Sequence, residues 1–588
     1  MALTNHILPD SPTNNFCTLN PLDKIGSTVS EGNLEVVGTT NHYAVRSTLG
    51  VRSGKWYFET YLKDAGSAGI GVMSSSADIS DQLNAVESAW YRVSGRKFPN
   101  DSPYGSSTGD GGVIGCLFNV DTGTIEFFKN NVSMGTLGSG YDVLNTWNDN
   151  VHAAVKTFDS SENMVVNFGQ DPTFAGNKTS GSADAPDANG IGAFYYQPPA
   201  GAKALCTANL PEMTPDVADD VPQDYFKTVL WTGQTTGEDM TWDGTTGTVT
   251  VGFQPDLVWG KNRDFANYNE LTDSVRGATR SIYTNDPTSE GVDPEKLKSF
   301  YSNGFSIGNA PGYNKSGDKH VAWCWKAGGT PSGGFTGTEA MVDGVETTCS
   351  ALASSASASI TPTAMSVNTK AGFSIVKYTG TGANATVPHG LDKAPEFVVI
   401  KNLDKSAFWP VWHKGLGQDD YLRLDDSPSI AVYTGAWNST IPNNSVVSLG
   451  VSNILNEGTV GQNQHIMYCW HSVEGYSKLG SYTGNGSPDG PFVYTGFRPA
   501  WLLIKRTDAL DNWLIQDSTR TPFNWTCNML VANNSNQENT TEAESTYGRD
   551  YLSNGFKIRA SHSSHNATNG TYIYAAFAEQ PFKFSNAR

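Results

Sequence analysis

Three lysines, Lys261, Lys401 and Lys505, each stand six residues after a proline (Pro255, Pro395, Pro499), at the end of a short apolar run. A lysine held at a fixed place could act as a nucleophile or bind anions. At a strand end it also blocks edge-to-edge pairing, and that structural role is the expectation here. The acidic pairs Asp419-Asp420 and Asp425-Asp426 lack the spacing of a calcium loop and read as solvated turn carboxylates. Asp273 with Arg276, and Asp517 with Arg520, recur at matching places and read as surface ion pairs worth about 0–1 kcal/mol. His320 and His465 also match in place, but no HExxH motif links the histidines and no GxSxG elbow is present. No catalytic residue, metal site or cofactor is therefore assigned. Paired carboxylates can come from any two strands, which keeps a polysaccharide depolymerase as the alternative reading. Of the fifteen tryptophans, most are expected in cores. Trp437 and Trp525, in polar loops, are candidate faces for stacking on sugar rings. Asn438, Asn443, Asn444, Asn533, Asn534 and Asn536 would supply donors and acceptors for sugar hydroxyls.

The elements around these residues repeat. Gly-(Phe/Leu)-x(1–3)-Pro followed by an apolar strand ending in Lys occurs at Gly252–Lys261, Gly390–Lys401 and Gly496–Lys505. A second strand, at Phe305, Val451 and Phe556, follows the lysine by 44, 50 and 51 residues. A third ends 20, 19 and 21 residues later at Trp325, Trp470 and Phe577. Each copy opens on aromatic-Thr-Gly at Trp231, Tyr378 and Tyr482. Repetition of a unit without chemistry points to a built object that displays surfaces.

Composition agrees. The chain has 588 residues, 61 glycines, only 16% charged residues and a net charge of −19. That profile fits many short strands joined by polar turns, and its acidity disfavours nucleic-acid binding. No apolar stretch is long enough to cross a bilayer and no secretory leader is visible, so a soluble protein made in a cytoplasm is expected. The seven cysteines include no CxxC pair. Cys324 and Cys469 hold equivalent places and read as small buried hydrophobes.

Residues 54–169 alternate as strands throughout. Gly54-Lys55-Trp56-Tyr57-Phe58-Glu59, Gly69-Ile70-Gly71-Val72, the run Val113 to Asn130, and Val166-Asn167-Phe168-Gly169-Gln170 follow in that order. The set resembles a SPRY domain. The resemblance implies a bent β-sandwich that binds other molecules through edge loops and is not an enzyme. Asn130-Asn131 stands where many members have Asn-Gly, leaving the turn type open.

Beyond Gly169 the layout is similar to virion appendage proteins of tailed bacteriophages. The expected fold class is all-β: an N-terminal SPRY-like bent β-sandwich followed by three repeated β-sandwich-like modules. The expected divisions are a docking segment (1–25), the SPRY-like domain with an extension (26–212), a linker (213–225), module 1 (226–329), a Ser/Ala/Gly-rich linker or insertion (330–371), module 2 (372–475) and module 3 (476–588). The resemblance implies a tail fibre or similar appendage, located in the virion and assembled in the host cytoplasm. Its implied partners are other virion proteins and a host surface receptor or polysaccharide, and the implied assembly is a homotrimer, with no nucleic acid bound and no membrane insertion. Host contact is expected on the loops Tyr433 to Asn444 and Asn533 to Tyr547.

Overall fold

The computed structural model describes residues 10–11, 14–39, 43–80, 87–138, 144–147, 149–179, 185–210, 221–233, 248–331, 339–539 and 546–581. It is all-β and divides into two compact units. One is built from residues up to 210 with Phe492–Gly496, the other from residues 221–491 with Phe497–Pro581.

In the first unit two antiparallel sheets face each other. One runs in the order Leu19–Lys24, Tyr43–Val51, Val151–Thr157, Gly69–Ser74, Ser88–Arg92, Arg96–Phe98, Ser102–Pro103. The other is centred on Lys55–Asp64, which pairs with Val113–Asn119 and Asn163–Asn167. Side chains alternate as a pleat requires. Trp56, Phe58 and Leu62 enter the core with Ile70, Val72 and Cys116, while Tyr57 packs on Phe194 and Leu117 under the 194–206 extension. Asn130 and Asn131 both have positive φ (47° and 68°), which the two central residues of a tight hairpin turn require. The docking segment needs correction: Cys17 and Leu19 lie in the core, and Leu19–Lys24 is a strand of the sheet. Residues 1–9 lie outside the described set.

In the second unit the modules repeat one sheet order. The opening strand (Phe226–Thr232, Phe373–Thr379, Ser477–Thr483) pairs with the last strand (Lys319–Trp325, Gln464–Trp470, Thr571–Pro581). The last strand pairs with the lysine strand (Leu257–Asn262, Phe397–Asn402, Phe497–Arg506), and that with the next (Glu270–Asp273, Pro410–His413, Trp513–Asp517). Segment 330–371 is not a bare linker. Its strands Glu339–Val342, Val345–Thr348 and Ala364–Asn368 extend the module 2 sheet, and Cys349–Ser355 is helical.

The lysine strands lie inside their sheets, with a partner on each side, so an edge-blocking role is ruled out. Their faces divide by the pleat. Val258, Val398 and Ile400 enter the core of their own module. Leu257, Trp259, Phe397, Val399, Trp501 and Leu503 enter one core shared by all three modules. The lysine falls on this second face, two residues after Trp259, Val399 or Leu503, and is buried in every copy.

Each lysine crosses to the next module. Lys261 Nζ donates to Ser535 O of module 3 at 2.9 Å, Lys401 Nζ to Pro287 O of module 1 at 2.6 Å, and Lys505 Nζ to Ser427 O of module 2 at 3.0 Å. Each also donates to its own chain six residues on, at Asn267 O, Ala407 O and Asp511 O. Ser535 O, Pro287 O and Ser427 O also accept the backbone N–H groups of Asn267, Ala407 and Asp511, at 2.9, 2.8 and 2.9 Å. A reciprocal bond runs back from Glu538 N to Arg263 O, Glu290 N to Leu403 O, and Ile430 N to Thr507 O. Module 1 holds module 3, module 2 holds module 1, and module 3 holds module 2: the contacts close a three-membered ring within one chain.

Burial pushes the ammonium groups down from 10.5, Lys261 to about 7 and Lys401 and Lys505 to about 8. An unfolded chain keeps these lysines protonated in that range while the fold releases protons, so stability rises with pH. Between pH 7 and 8 the second unit should gain about 1–2 kcal/mol from the three together. Urea unfolding at the two pH values measures it, and Lys261→Met should remove more than half of the rise.

Cys17, Cys116, Cys206, Cys324, Cys349 and Cys469 are buried as free thiols and Cys527 is half-exposed. One thiol, Cys527, should react with an aromatic disulfide reagent in native protein, and the rest only on unfolding. Two or more fast thiols would contradict this packing.

Candidate functional site

The loop residues singled out from sequence have separate fates. Trp437 is 0% exposed. The helical turn Thr434–Trp437 points its ring into the module 2 core with Val447, Leu449 and Met467, and its Nε1 donates to Asp420 O at 3.0 Å. It offers no face to a sugar, which corrects the reading of Trp437 as a stacking platform. Asn438 ends that turn with φ 53°. Asn443 and Asn444 are exposed but hold the chain: Asn443 Oδ1 accepts from Ser445 N and Val446 N, and Asn444 Oδ1 from Ala394 N.

Asn533 and Asn534 belong to the ring closure. Asn533 Oδ1 accepts from Trp513 N at 2.8 Å, as Asn285 Oδ1 does from Asn269 N at 2.7 Å and Asp425 Oδ1 from Trp409 N at 2.9 Å. The second residue of each pair then reaches the neighbouring module: Asn269 Nδ2 to Asn534 O, Trp409 Nε1 to Asp286 O, and Trp513 Nε1 to Arg423 O. Loop 533–539 is thus an inter-module clamp. Asn536 is exposed, and its backbone N–H donates to Asn534 Oδ1. Sequence reasoning missed this set, although Asn285 and Asp425 both lie 24 residues after their lysine.

The paired ions are also inside. Asp273–Arg276 and Asp517–Arg520, each at 2.5 Å, have no exposed side-chain surface. Asp273 accepts from Tyr468 of module 2 at 2.7 Å, and Asp517 from Trp323 Nε1 of module 1 at 3.0 Å. They are core inter-module anchors and not surface pairs. The acidic residues of module 2 serve turns: Asp420 Oδ2 accepts from Gly417 N, and Asp419 Oδ1 from Ser439 Oγ. Among the described residues no three His, Cys, Asp or Glu side chains converge as a metal site would need.

Trp525 differs. From the buried aspartate, or His413 in its place, to the first core residue of the following strand is nine residues in modules 1 and 2 (Asp273 to Ile282, His413 to Leu422) and thirteen in module 3 (Asp517 to Leu530). The added length carries Phe523, 81% exposed, and Trp525, 45% exposed, on either side of Asn524. Asn524 fixes the tip: its Nδ2 donates to Tyr551 O at 3.1 Å and its Oδ1 accepts from Tyr551 N at 2.9 Å. Thr526 and Arg549 exchange backbone bonds beside it. The result is a braced loop with two aromatic faces in water. A concavity of about 540 Å³ is lined by Gly328, Gly329, Gly344, Lys326, Asp343 and Lys370 among others.

Two family models match the chain. The one described as "Domain of unknown function (DUF7483)" matches residues 221–350 and 346–581. The chain belongs to this family. The SPRY domain model matches residues 55–171, and the first unit carries a SPRY domain. A probable ATP-dependent RNA helicase, ddx1, of Dictyostelium discoideum is 32% identical over 94 residues, which cover 16% of this chain and 12% of that protein. The chain thus spans only about an eighth of the length of that curated relative. Among solved structures, the SPRY domain of human HERC1 is 18% identical, with a TM-score of 0.23, covering 25% of this chain and 96% of that one. The TRIM65 PSpry domain is 13% identical, with a TM-score of 0.22, covering 26% and 90%.

The two loop tryptophans should separate on mutation. Trp437→Ala removes a sealed core ring and should cost about 3–5 kcal/mol. Trp525→Ala should stay within about 0.5 kcal/mol. Urea midpoints of the two variants test the assignment.

Proposed function

We propose that this protein is a structural and adhesive component of a phage virion, a tail fibre or similar appendage, that attaches to host-surface glycans. The observation that carries the reading is the braced aromatic loop of module 3. An exposed indole beside a phenyl ring suits the CH faces of sugar rings, and fixing the loop beforehand lowers the entropy lost on binding. The likeness in layout to phage appendage proteins supports the setting. So does a ring of modules whose repeated residues are spent on assembly, leaving recognition to loops that differ between copies. Assembly as a homotrimer beside other virion proteins belongs to the same proposal, with many weak sites acting by avidity. The protein is read as a binder and not a depolymerase.

Binding of purified protein to immobilised bacterial surface polysaccharides tests this. Phe523→Ala with Trp525→Ala should weaken binding at least tenfold with an unchanged melting temperature, and no reducing sugar should be released. Full binding by the double variant would move the receptor site elsewhere, with the SPRY edge loops next to be tried. Steady release of reducing ends would favour the depolymerase.

A further inference from the structure

Among the described residues five arginines are buried, and four are matched by acids, Arg498 by Glu579. Arg46 pairs with Asp23, Arg276 with Asp273 and Glu290, and Arg520 with Asp517 and Glu538. Arg549 is equally buried, yet neither its Nε nor its Nη2 has a hydrogen-bond partner, and both are closed to bulk water. The adjacent Asp550 is taken by Arg559 at 2.5 Å. The groups that face Arg549 are the phenols of Tyr482, Tyr547 and Tyr551 and the imidazole of His565. Among these, Tyr551 OH and His565 Nε2 are also buried without a partner. Tyr482 OH is used, donating to His565 O at 2.8 Å.

An unmatched buried guanidinium is costly, because a charge taken from water needs a counter-charge or several good acceptors. Such orphans point to a missing ion or water. The other modules show that the fold itself does not require these groups. In module 1, Leu297 faces Ile307 where Arg549 faces Ile558 in module 3. The helical turn that carries His565 has Tyr313 at that place in module 1, and the equivalent turn of module 2 has Leu455. Module 3 alone gathers two basic side chains there. Burial and the Arg549 charge hold the His565 imidazole well below its ordinary value, so it is neutral.

We propose that Arg549, His565 and Tyr551 form an oxyanion-binding site inside module 3. The vacant donors are Nε and Nη2, the edge of the guanidinium that takes two oxygens of one carboxylate, sulfate or phosphate side by side. A halide would meet only one of the two N–H groups squarely. Tyr551 OH can donate to a third oxygen. His565 Nε2 can add a further donor as its tautomer or protonation adjusts to the bound charge. The site is independent of the aromatic loop's role, although the loop is tied to the same strand through Tyr551 and Arg549.

Equilibrium dialysis of the full chain with radiolabelled sulfate should find one sulfate per chain, displaced by phosphate or acetate and not by chloride at equal ionic strength. Thermal melts should show a rise that saturates with sulfate in the wild type. Arg549→Leu, the residue module 1 uses, should retain only the unsaturating salt effect common to both proteins. His565→Tyr should weaken the saturating phase. No bound sulfate in the wild type, or identical melting curves for wild type and Arg549→Leu, would overturn the site. Sulfate binding that appears only after Glu542→Gln and Glu544→Gln would also overturn it, by assigning the counter-charge to the chain itself.

Discussion

The lysine–carbonyl clamp is the constraint on which the second unit depends. Each sheet has two apolar faces, one covered by its own small sheet and one left for the shared core. A module alone would expose the second face, with Trp259, Trp323 and Trp325 in module 1 or Trp501 and Phe577 in module 3, an apolar patch beyond what an isolated domain tolerates. Hydrophobic burial explains why the modules associate but does not fix their register, because it has no direction. The clamp does. One carbonyl of the neighbour receives both an ammonium and a backbone N–H, and a reciprocal backbone bond runs back three residues later. Slipping one module along another by a single residue would carry the lysine off that carbonyl and leave a buried amine without its acceptor.

The ring is closed but not uniform. At two joints a buried aspartate, itself held by an arginine three residues on, accepts a hydrogen bond from the neighbour's Trp323 or Tyr468. At the third joint His413 stands in the aspartate's place and Ala575 in the aromatic's. Burial holds that imidazole down to about 3, so it stays neutral and needs no arginine. The shared core is likewise filled unevenly, with tryptophan at Trp325 and Trp470 and phenylalanine at Phe577. A space of about 30 Å³ remains among Trp259, Trp325, Trp470 and Trp501, lined only by apolar surface. Copies that must fit one another can diverge only in compensating sets, which is why the lysines stay alike while the groups beside them differ.

Much of this was legible in the sequence. Period-two alternation and turn residues show the sandwich of the first unit, down to the Asn130-Asn131 hairpin. Fixed offsets show the three modules. The lysine's role was misread, although the evidence was in the pattern. A residue two places after Trp259 and four after Leu257 lies on their face of the strand, so if they are buried it is buried as well. What the pattern could not supply was the acceptor, since Ser535 lies 274 residues from Lys261 and is named only by the closed ring. Trp437 was misplaced for a local reason: a polar neighbourhood in sequence says little about a ring that one helical turn directs inward. Trp525 was picked out from its polar neighbours, but Phe523 beside it and the bracing of their loop were not, because an insertion in one copy breaks the offsets that reveal the rest.

That break is informative. Where all three copies agree, the side chain holds either the ring, as the lysines and the acceptors of Asn285, Asp425 and Asn533 do, or its own module, as Asn314, Asn456 and Asn566 do by donating to Gly308 O, Gly450 O and Ala560 O. Where module 3 departs from the others it adds exposed aromatics at Phe523 and Trp525 and buried basic groups at Arg549 and His565. Neither departure improves packing. The first places apolar surface in water and the second places charge in a core. Both are unfavourable to the isolated fold and both occur within one stretch of one module, joined by the backbone bonds between Thr526 and Arg549. Neither contributes to stability, so the binding proposed for this chain falls where module 3 departs from its copies.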